Sequence, residues 1–516
     1  MLSFARLAVL LPLILSTLAS PTDQQQQRDR RAVDLDRRQA AATTSAPSSR
    51  VPFASRTASA TTSTPAVTSS AKAFSSVNTV VAAAKKTTTT TKKTTTTTKK
   101  ATTTAAKKTT QAAIAVTTPK PTTTTKPACA AKYTGAAVTI QGTGTLPKPT
   151  AFVKRSGQQL VLSGKNYRIV GPNIYWLCSD ENASPAGAPP DKGRVREAMA
   201  IAVAMGANTI RIHTCGVSVG PNNAYNLEPS LGNFNNALWD IRDYVLYAAR
   251  EYGLRVILPL TDNYDFYHGG KYSFLNFVGA STANKGSEFY TNQAAVNAYT
   301  SYISAMLTRV NSYTGVSYAN DPTILAWETG NEFGAWQHME AWPPAAFTTA
   351  IVNAIRRFDK NHIVVDGTNG FYDPKTGAVA EGLKVSTVDM MTDHGYPRSV
   401  GLIQKEQALA KSAKKGFFIG EYDWTSSHGG DSLSSYLSAI EGAGSYLGDM
   451  IWNVMGHDAQ CCAFVPHNDG YSLYYPNGNS AADQANILAV VKHWYKVTGR
   501  SQPSRLPAVA CPQPVF

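Results

Sequence analysis

Two glutamates stand out as residues that could do chemistry. Glu332 closes the run Trp327-Glu328-Thr329-Gly330-Asn331-Glu332, and Glu421 lies in Phe417-Phe418-Ile419-Gly420-Glu421-Tyr422. Each follows a short apolar segment of strand character, so each carboxyl is expected at a strand end. Two carboxyls projecting into one cleft suit cleavage of a glycosidic bond: one protonates the leaving oxygen, the other attacks or activates water. The carboxyl with the raised pKa would be the acid, and the one held by cationic or hydrogen-bonding neighbours would stay ionised. A single Glu is usually a solvated surface group, and Glu328 reads as structural. An Asn-Glu step at one strand end, with a second Glu after another apolar strand, is far more specific.

Eight short apolar segments could position these groups: Tyr167–Trp176, Asn208–His213, Arg255–Leu260, Ile324–Glu328, Ile363–Gly367, Met390–His394, Phe417–Glu421 and Met450–Val454. Helical patterns lie between them. Leu238, Ile241, Val245 and Ala248 share one face, and Val296, Tyr299, Ile303, Met306 and Val310 make a longer stripe. The stretch after Phe371 is mostly loop. Alternating strands and helices give an α/β fold with a parallel sheet, and eight units predict a (β/α)8 TIM barrel. No Gly-rich phosphate loop follows the first strand, so nucleotide binding is unsupported. In a barrel the chemistry sits at the C-terminal strand ends. Those ends carry Asn173, Tyr175 and Trp176; Arg211 and His213; Asp262 and Asn263; Asn331 and Glu332; His394 and Tyr396; Glu421; and Trp452. Strands four and seven, which bear the two glutamates, face each other across such a barrel.

The body at about 155–500 resembles glycoside hydrolase family 5, in the retaining (β/α)8 clan, and within it the secreted fungal mannan endo-1,4-β-mannosidases. The matching stretches are GPNIYWL, NTIRIHTCG, LRVILPLTDNYDFYHGG, FYTN, DPTILAWETGNE, DHGYP, GEYDW and the strand-eight Trp452. The resemblance implies that Glu332 is the general acid/base and Glu421 the nucleophile. It implies that Asn331 bonds the substrate 2-hydroxyl, that Arg211 holds Glu421 ionised, and that His394 and Tyr396 order the pair. Trp452 would be the platform under the reacting sugar. Asn263, with Tyr264, matches a strand-three Asn-Trp in part, and Trp176 joins the candidate substrate-binding residues. Three departures lie near the substrate: Phe333 where the family usually has Pro, Thr329-Gly330 in place of bulkier residues, and His213-Thr214-Cys215-Gly216 where Trp-Gly is common.

Charge and composition separate a tail from this body. The chain has 516 residues and a net charge of +15. The first 130 residues hold 19 Lys and Arg against four acids, so they carry the whole excess and the body is neutral. A basic nucleic-acid-binding domain is thereby disfavoured. Residues 1–19 read as a signal peptide, which predicts a secreted protein. Residues 20–39 contain Arg30-Arg31 and Arg37-Arg38, readable as pro-segment cleavage sites or as a charged spacer. Residues 40–127 are Thr, Ser, Ala, Lys and Pro, and cannot bury enough apolar surface to offset their ordering entropy. They read as a disordered stalk, either passive or an attachment to wall polymers. The catalytic domain is assigned to 128–516, a monomer without a membrane span. Six cysteines in an oxidising compartment should mostly pair, and Cys129 with Cys511 would tie the ends of the body together. No Cys/His spacing suggests a metal, and no cofactor is expected.

Other readings on the same scaffold are a β-glucanase (β-1,4 or β-1,3) or an exo-acting β-mannosidase. From other classes come a non-catalytic wall carbohydrate-binding protein and a structural mannoprotein. The mark of the former would be a missing catalytic carboxylate, and both are present.

Overall fold

The computed structural model describes residues 146–335, 339–425, 427–442 and 448–516. The signal segment, the dibasic pairs, the Thr/Lys-rich stretch and Cys129 lie outside these residues. No described helix is long and apolar enough to cross a membrane.

Eight parallel strands form one sheet: β1 (Ile169–Pro172), β2 (Thr209–Arg211), β3 (Arg255–Pro259), β4 (Ile324–Glu328), β5 (Ile363–Asp366), β6 (Met390–Gly395), β7 (Gly416–Tyr422) and β8 (Gly448–Ile451). Every residue in them is buried. Strands covered on both faces read as continuous apolar runs rather than as alternation. The order is β1-β8-β7-β6-β5-β4-β3-β2. The ring is completed between β1 and β2 by the Asn173–Arg211 bridge, with Ile174 N donating to Arg211 O at 2.9 Å and Asn208 N to Val170 O at 3.0 Å. This is the expected (β/α)8 barrel.

The outer helices follow the apolar stripes. Helix Trp239–Glu251 buries Ile241, Val245 and Ala248. Helix Gln293–Thr308 buries Val296, Tyr299, Ile303 and Met306, and the Asn292 side chain caps its first amides. Val310, expected to extend that stripe, is instead half exposed. Arg309 leaves the helical conformation, and its guanidinium pairs with Asp243 (Nε to Oδ1, 3.2 Å). Between β5 and β6 the only regular helix is the single 3-10 turn Glu381–Lys384, as the loop-like sequence there suggested.

The sequence reading did not anticipate three antiparallel strands before the barrel, Lys154–Ser156, Gln159–Leu162 and Lys165–Tyr167. Their second turn has Ser163 and Gly164 both at positive φ, the geometry that closes a tight hairpin. They place Val153, Leu160, Leu162 and Tyr167 against Ile169, Ile363, Met390, Phe418 and Met450, which lie near the strand starts. One end of the barrel is thus plugged with apolar side chains, and the other carries the polar strand ends.

Cys178 pairs with Cys215, joining the segments after β1 and β2, and Cys462 pairs with Cys511. The expected bridge from Cys129 to Cys511 therefore does not form. Asp458 folds a tight turn by accepting from the amides of Cys461 and Ala463, and this turn carries Cys462 to the C-terminal segment. Cys461 is disulfide-bonded as well.

Candidate active site

Arg211, at the end of β2, is fully buried, and its guanidinium organises the site. Nε and Nη2 grip both oxygens of Glu328 at 2.8 Å. Nη1 reaches Asn173 Oδ1 at 3.0 Å and Glu421 Oε1 at 2.7 Å, and Nη2 reaches Asn331 Oδ1 at 2.7 Å. A buried charge is tolerable only when paired and fully hydrogen-bonded, and only guanidinium has a fork of five N–H donors to do this. Glu328 is thus structural in the expected sense: it anchors the cation that orients the others.

A backbone irregularity decides where Glu421 points. Phe418 faces the barrel interior. A regular strand would then turn Gly420 inward and Glu421 out towards the helices, because side chains alternate. The β6–β7 pairing slips by one residue between Ile419 and Glu421, and the slip turns the carboxyl into the barrel. Only Gly fits at the slip. A Cβ at 420 would lie 2.5 Å from Thr392 Oγ1 and 2.9 Å from His394 Nε2.

Glu332 follows β4 with φ +55, a left-handed conformation that costs a non-Gly residue about 1–3 kcal/mol and collects at functional sites. The departures around it have a packing reason. Phe333 is buried among Phe289, Tyr290 and Phe347, and its ring lies where a Cβ on residue 330 would clash at 2.3 Å, so Gly330 and Phe333 go together.

The two glutamates meet at His394, the end of β6. Its Nδ1 is 2.6 Å from Glu332 Oε1 and 3.5 Å from Glu421 Oε2. The three groups each bring one ligand-type atom within 4.8 Å of the others. Tyr396 Oη donates to Glu421 Oε2 at 3.1 Å. Burial alone would raise both carboxyls. At Glu332 the hydrogen bond and charge of His394 outweigh burial and hold it below the usual range. His394 itself is raised, since Glu421 and Glu332 overcome its own burial. Burial pushes Glu421 up, with His394 and Arg211 pulling it back only in part. The expectation that the acid would carry the raised pKa is thus reversed in this site: His394 holds Glu332 down, and burial outweighs Arg211 at Glu421.

Trp452 lies after β8, half-buried. Its ring stacks on Tyr175 (5.4 Å between centroids, 16° between planes), and its Nε1 donates to Asp469 at 2.9 Å. A fixed indole of this kind can receive the apolar C–H face of a sugar. Arg211, Asn331, Glu332, His394, Tyr396, Glu421 and Trp452 are thus brought together at one end of the barrel.

Two candidates have side chains engaged by the protein itself, although the Asn263 amide N donates to Asn331 O at 3.0 Å within the site. Trp176 is fully buried, donates Nε1 to Val454 O at 2.9 Å and lies under the Arg194 guanidinium at 3.7 Å. The 3-10 turn Tyr175–Leu177 sends it into the packing layer, so it cannot meet a substrate. Asn263 is at the strand end, but its amide accepts from Lys271 Nζ at 2.8 Å and donates to Glu340 at 3.1 Å, so it anchors a loop.

Sequence reasoning left Asp262 and His268 without a role. Asp262 is fully buried beside Asn331, with His268 Nε2 at 2.9 Å and His213 Nε2 at 3.2 Å from its Oδ2. The signal was present as a polar pair at a strand end, but the contact with His268 depends on the loop path. In each cluster one short hydrogen bond joins a His to a carboxylate, His268 to Asp262 at 2.9 Å and His394 to Glu332 at 2.6 Å, and the third group lies in ion-pair contact at 3.2 or 3.5 Å.

A family profile described as GH family 5 beta-mannosidase-like matches residues 150–422. The chain is 34% identical over 261 residues to Mannan endo-1,4-beta-mannosidase 1 of Oryza sativa subsp. japonica, spanning 50% of this chain and 58% of that protein. It is 27% identical over 395 residues to Mannan endo-1,4-beta-mannosidase 1 of Arabidopsis thaliana, spanning 67% of this chain and 92% of that one. Among solved structures, the endo-1,4-beta-mannanase from Rhizomucor miehei shares the fold at TM-score 0.52 and 24% identity, covering 68% of this chain and all of that one. The endo-beta-1,4-mannanase from Thermotoga petrophila shares it at TM-score 0.53 and 22% identity, covering 66% and 79%.

Proposed function

Because the chain belongs to glycoside hydrolase family 5, in its beta-mannosidase-like group, we propose that it is a secreted, retaining endo-β-1,4-mannanase. The observation that carries this reading is the spacing of the two carboxyls. A Glu332 oxygen and a Glu421 oxygen lie within 4.8 Å. Retaining enzymes hold their carboxyls roughly 5–5.5 Å apart, and inverting ones leave room for a water. Glu421, aimed by the slip in β7 and held by Arg211 and Tyr396, attacks the anomeric carbon as Glu332 passes its proton to the departing oxygen. Water then breaks the glycosyl–Glu421 bond, with Glu332 taking its proton. Asn331 bonds the 2-hydroxyl of the reacting sugar, and Trp452 supports its apolar face.

The names of the matched relatives support mannan as the polymer, and the neutral body suits an uncharged one. The apolar N-terminal segment supports secretion. The basic Thr/Lys-rich stretch supports attachment of a monomeric enzyme to anionic wall polymers, which salt would release, since charges are screened beyond ~8 Å at physiological ionic strength.

The test is a product profile of the purified protein on mannan, glucomannan, cellulose and β-1,3-glucan. Short manno-oligosaccharides released with retained configuration from mannan and glucomannan are expected. Release of mannose alone would make the enzyme exo-acting, turnover of cellulose or β-1,3-glucan in preference would make it a glucanase, and inactivity on all four would overturn the reading.

A further inference from the structure

Asn331 can serve the reaction only if its amide faces the right way round. Its Oδ1 accepts from Arg211, and its Nδ2 donates to Asp262 Oδ1 at 3.1 Å. An amide has two N–H bonds, so one is left for the cleft. An ionised carboxylate accepts only, and a guanidinium donates only. Turning the amide over would set its oxygen against Asp262 and its N–H groups against Arg211, with repulsion at both ends.

Asp262 is itself fixed from three directions. Oδ1 also accepts from the Tyr264 amide at 3.3 Å, and Oδ2 has His268 and His213 at 2.9 and 3.2 Å. All three side chains are buried. Burial would raise the Asp262 carboxyl, but His213 and His268 overcome it and hold the group well below the usual carboxylate range. The two imidazoles lie against each other with centroids 5.0 Å apart, and His213 meets the Trp452 ring edge-on at 6.5 Å. Charged and titratable groups facing the cluster are Arg211, on β2, Glu332, after β4, and Lys271, at the start of the helix Lys271–Phe277.

We propose that Asp262, carried by His268 and His213, is a positioning residue that locks the Asn331 amide with one N–H presented to the sugar 2-hydroxyl. This rests on the mannanase reading above and adds to it a buried His-Asp-His support that acts through Asn331.

The test compares two aryl β-manno-oligosides, one normal and one 2-deoxy at the reacting sugar, with wild type and Asp262→Asn. An amide at 262 can present either a donor or an acceptor, so the lock is lost. On the normal substrate kcat/KM should fall about 10- to 100-fold, as when a preorganised donor is displaced. On the 2-deoxy substrate, which has no hydroxyl to bond, the change should stay within roughly threefold. His268→Gln, which keeps a donor for Oδ2, should lose less on the normal substrate than His268→Leu, and this ordering guards against a variant that only folds poorly. Equal losses on both substrates, or no loss on the normal one, would overturn the inference while leaving the mannanase reading intact. A wild-type protein inert on the normal substrate would overturn both.

Discussion

Replacing Arg211 by Lys keeps the charge and removes the fork. The guanidinium makes five hydrogen bonds in full burial, two to Glu328 and one each to Glu421, Asn173 and Asn331. An ammonium has three donors radiating from one atom. It cannot clasp both Glu328 oxygens and still reach Glu421 and Asn331, so at least two bonds go. Hydrogen bonds to charged groups contribute about 1.5–3 kcal/mol each. With two lost the expected loss is about 3–6 kcal/mol, a large part of the ~5–15 kcal/mol that holds a typical protein folded. Equilibrium denaturation in guanidinium chloride would read it as a fall in midpoint. Turnover should fall about 100-fold as Glu421 and Asn331 lose their fixed placement. A second variant, Arg211→Lys with Glu328→Gln, should lose less than the sum of the single changes, because the two residues share bonds. A single-variant loss below about 1 kcal/mol, with kcat within a factor of two, would show that the guanidinium is not the hub described.

Glu332→Gln and Glu421→Gln should each lower turnover by about a thousandfold or more with the fold retained, checked by rate and by thermal unfolding; a variant keeping a tenth of the activity would exclude its residue from the chemistry. Activity needs Glu421 ionised, and burial raises its pKa, so the acid limb of kcat/KM should lie above the ordinary Glu value of about 4.3. His394→Gln removes a charge that pulls Glu421 down, so this limb should move to higher pH; an unmoved or lowered limb would contradict that role for His394. Cys462→Ser opens a loop of sequence separation 49, for which chain entropy gives about 4 kcal/mol, read by denaturation with kcat unchanged.

The barrel was legible because β1 to β8 are buried on both faces, and so stand out as apolar runs between helical stripes. The three strands that plug its far end were not, since most of their residues are exposed or half-buried and each strand is only three or four residues long. The glutamates were legible from the Asn-Glu step and the strand rule. Trp176 and Trp452 are identical in type and both close to strand ends, and what separates them is a 3-10 turn that the sequence does not mark. Asp262 was visible, but its partner His268 is six residues on, around a loop whose path sets the contact. Cys511 could pair with Cys129 or Cys462 on sequence alone, and the turn at Asp458 selects Cys462.

The slip at Gly420 means that an inventory of catalytic side chains is not a sufficient sign of activity in this fold. The odd interval from Phe418 to Glu421 is what aims the carboxyl, and it is a property of chain length. A relative lacking one residue there would keep its apolar inventory, its Arg and both glutamates, yet its second carboxyl would face the helices. Such a protein could hold a polysaccharide without cutting it, so an inert binder on this scaffold is better recognised by counting strand residues than by searching for a missing acid.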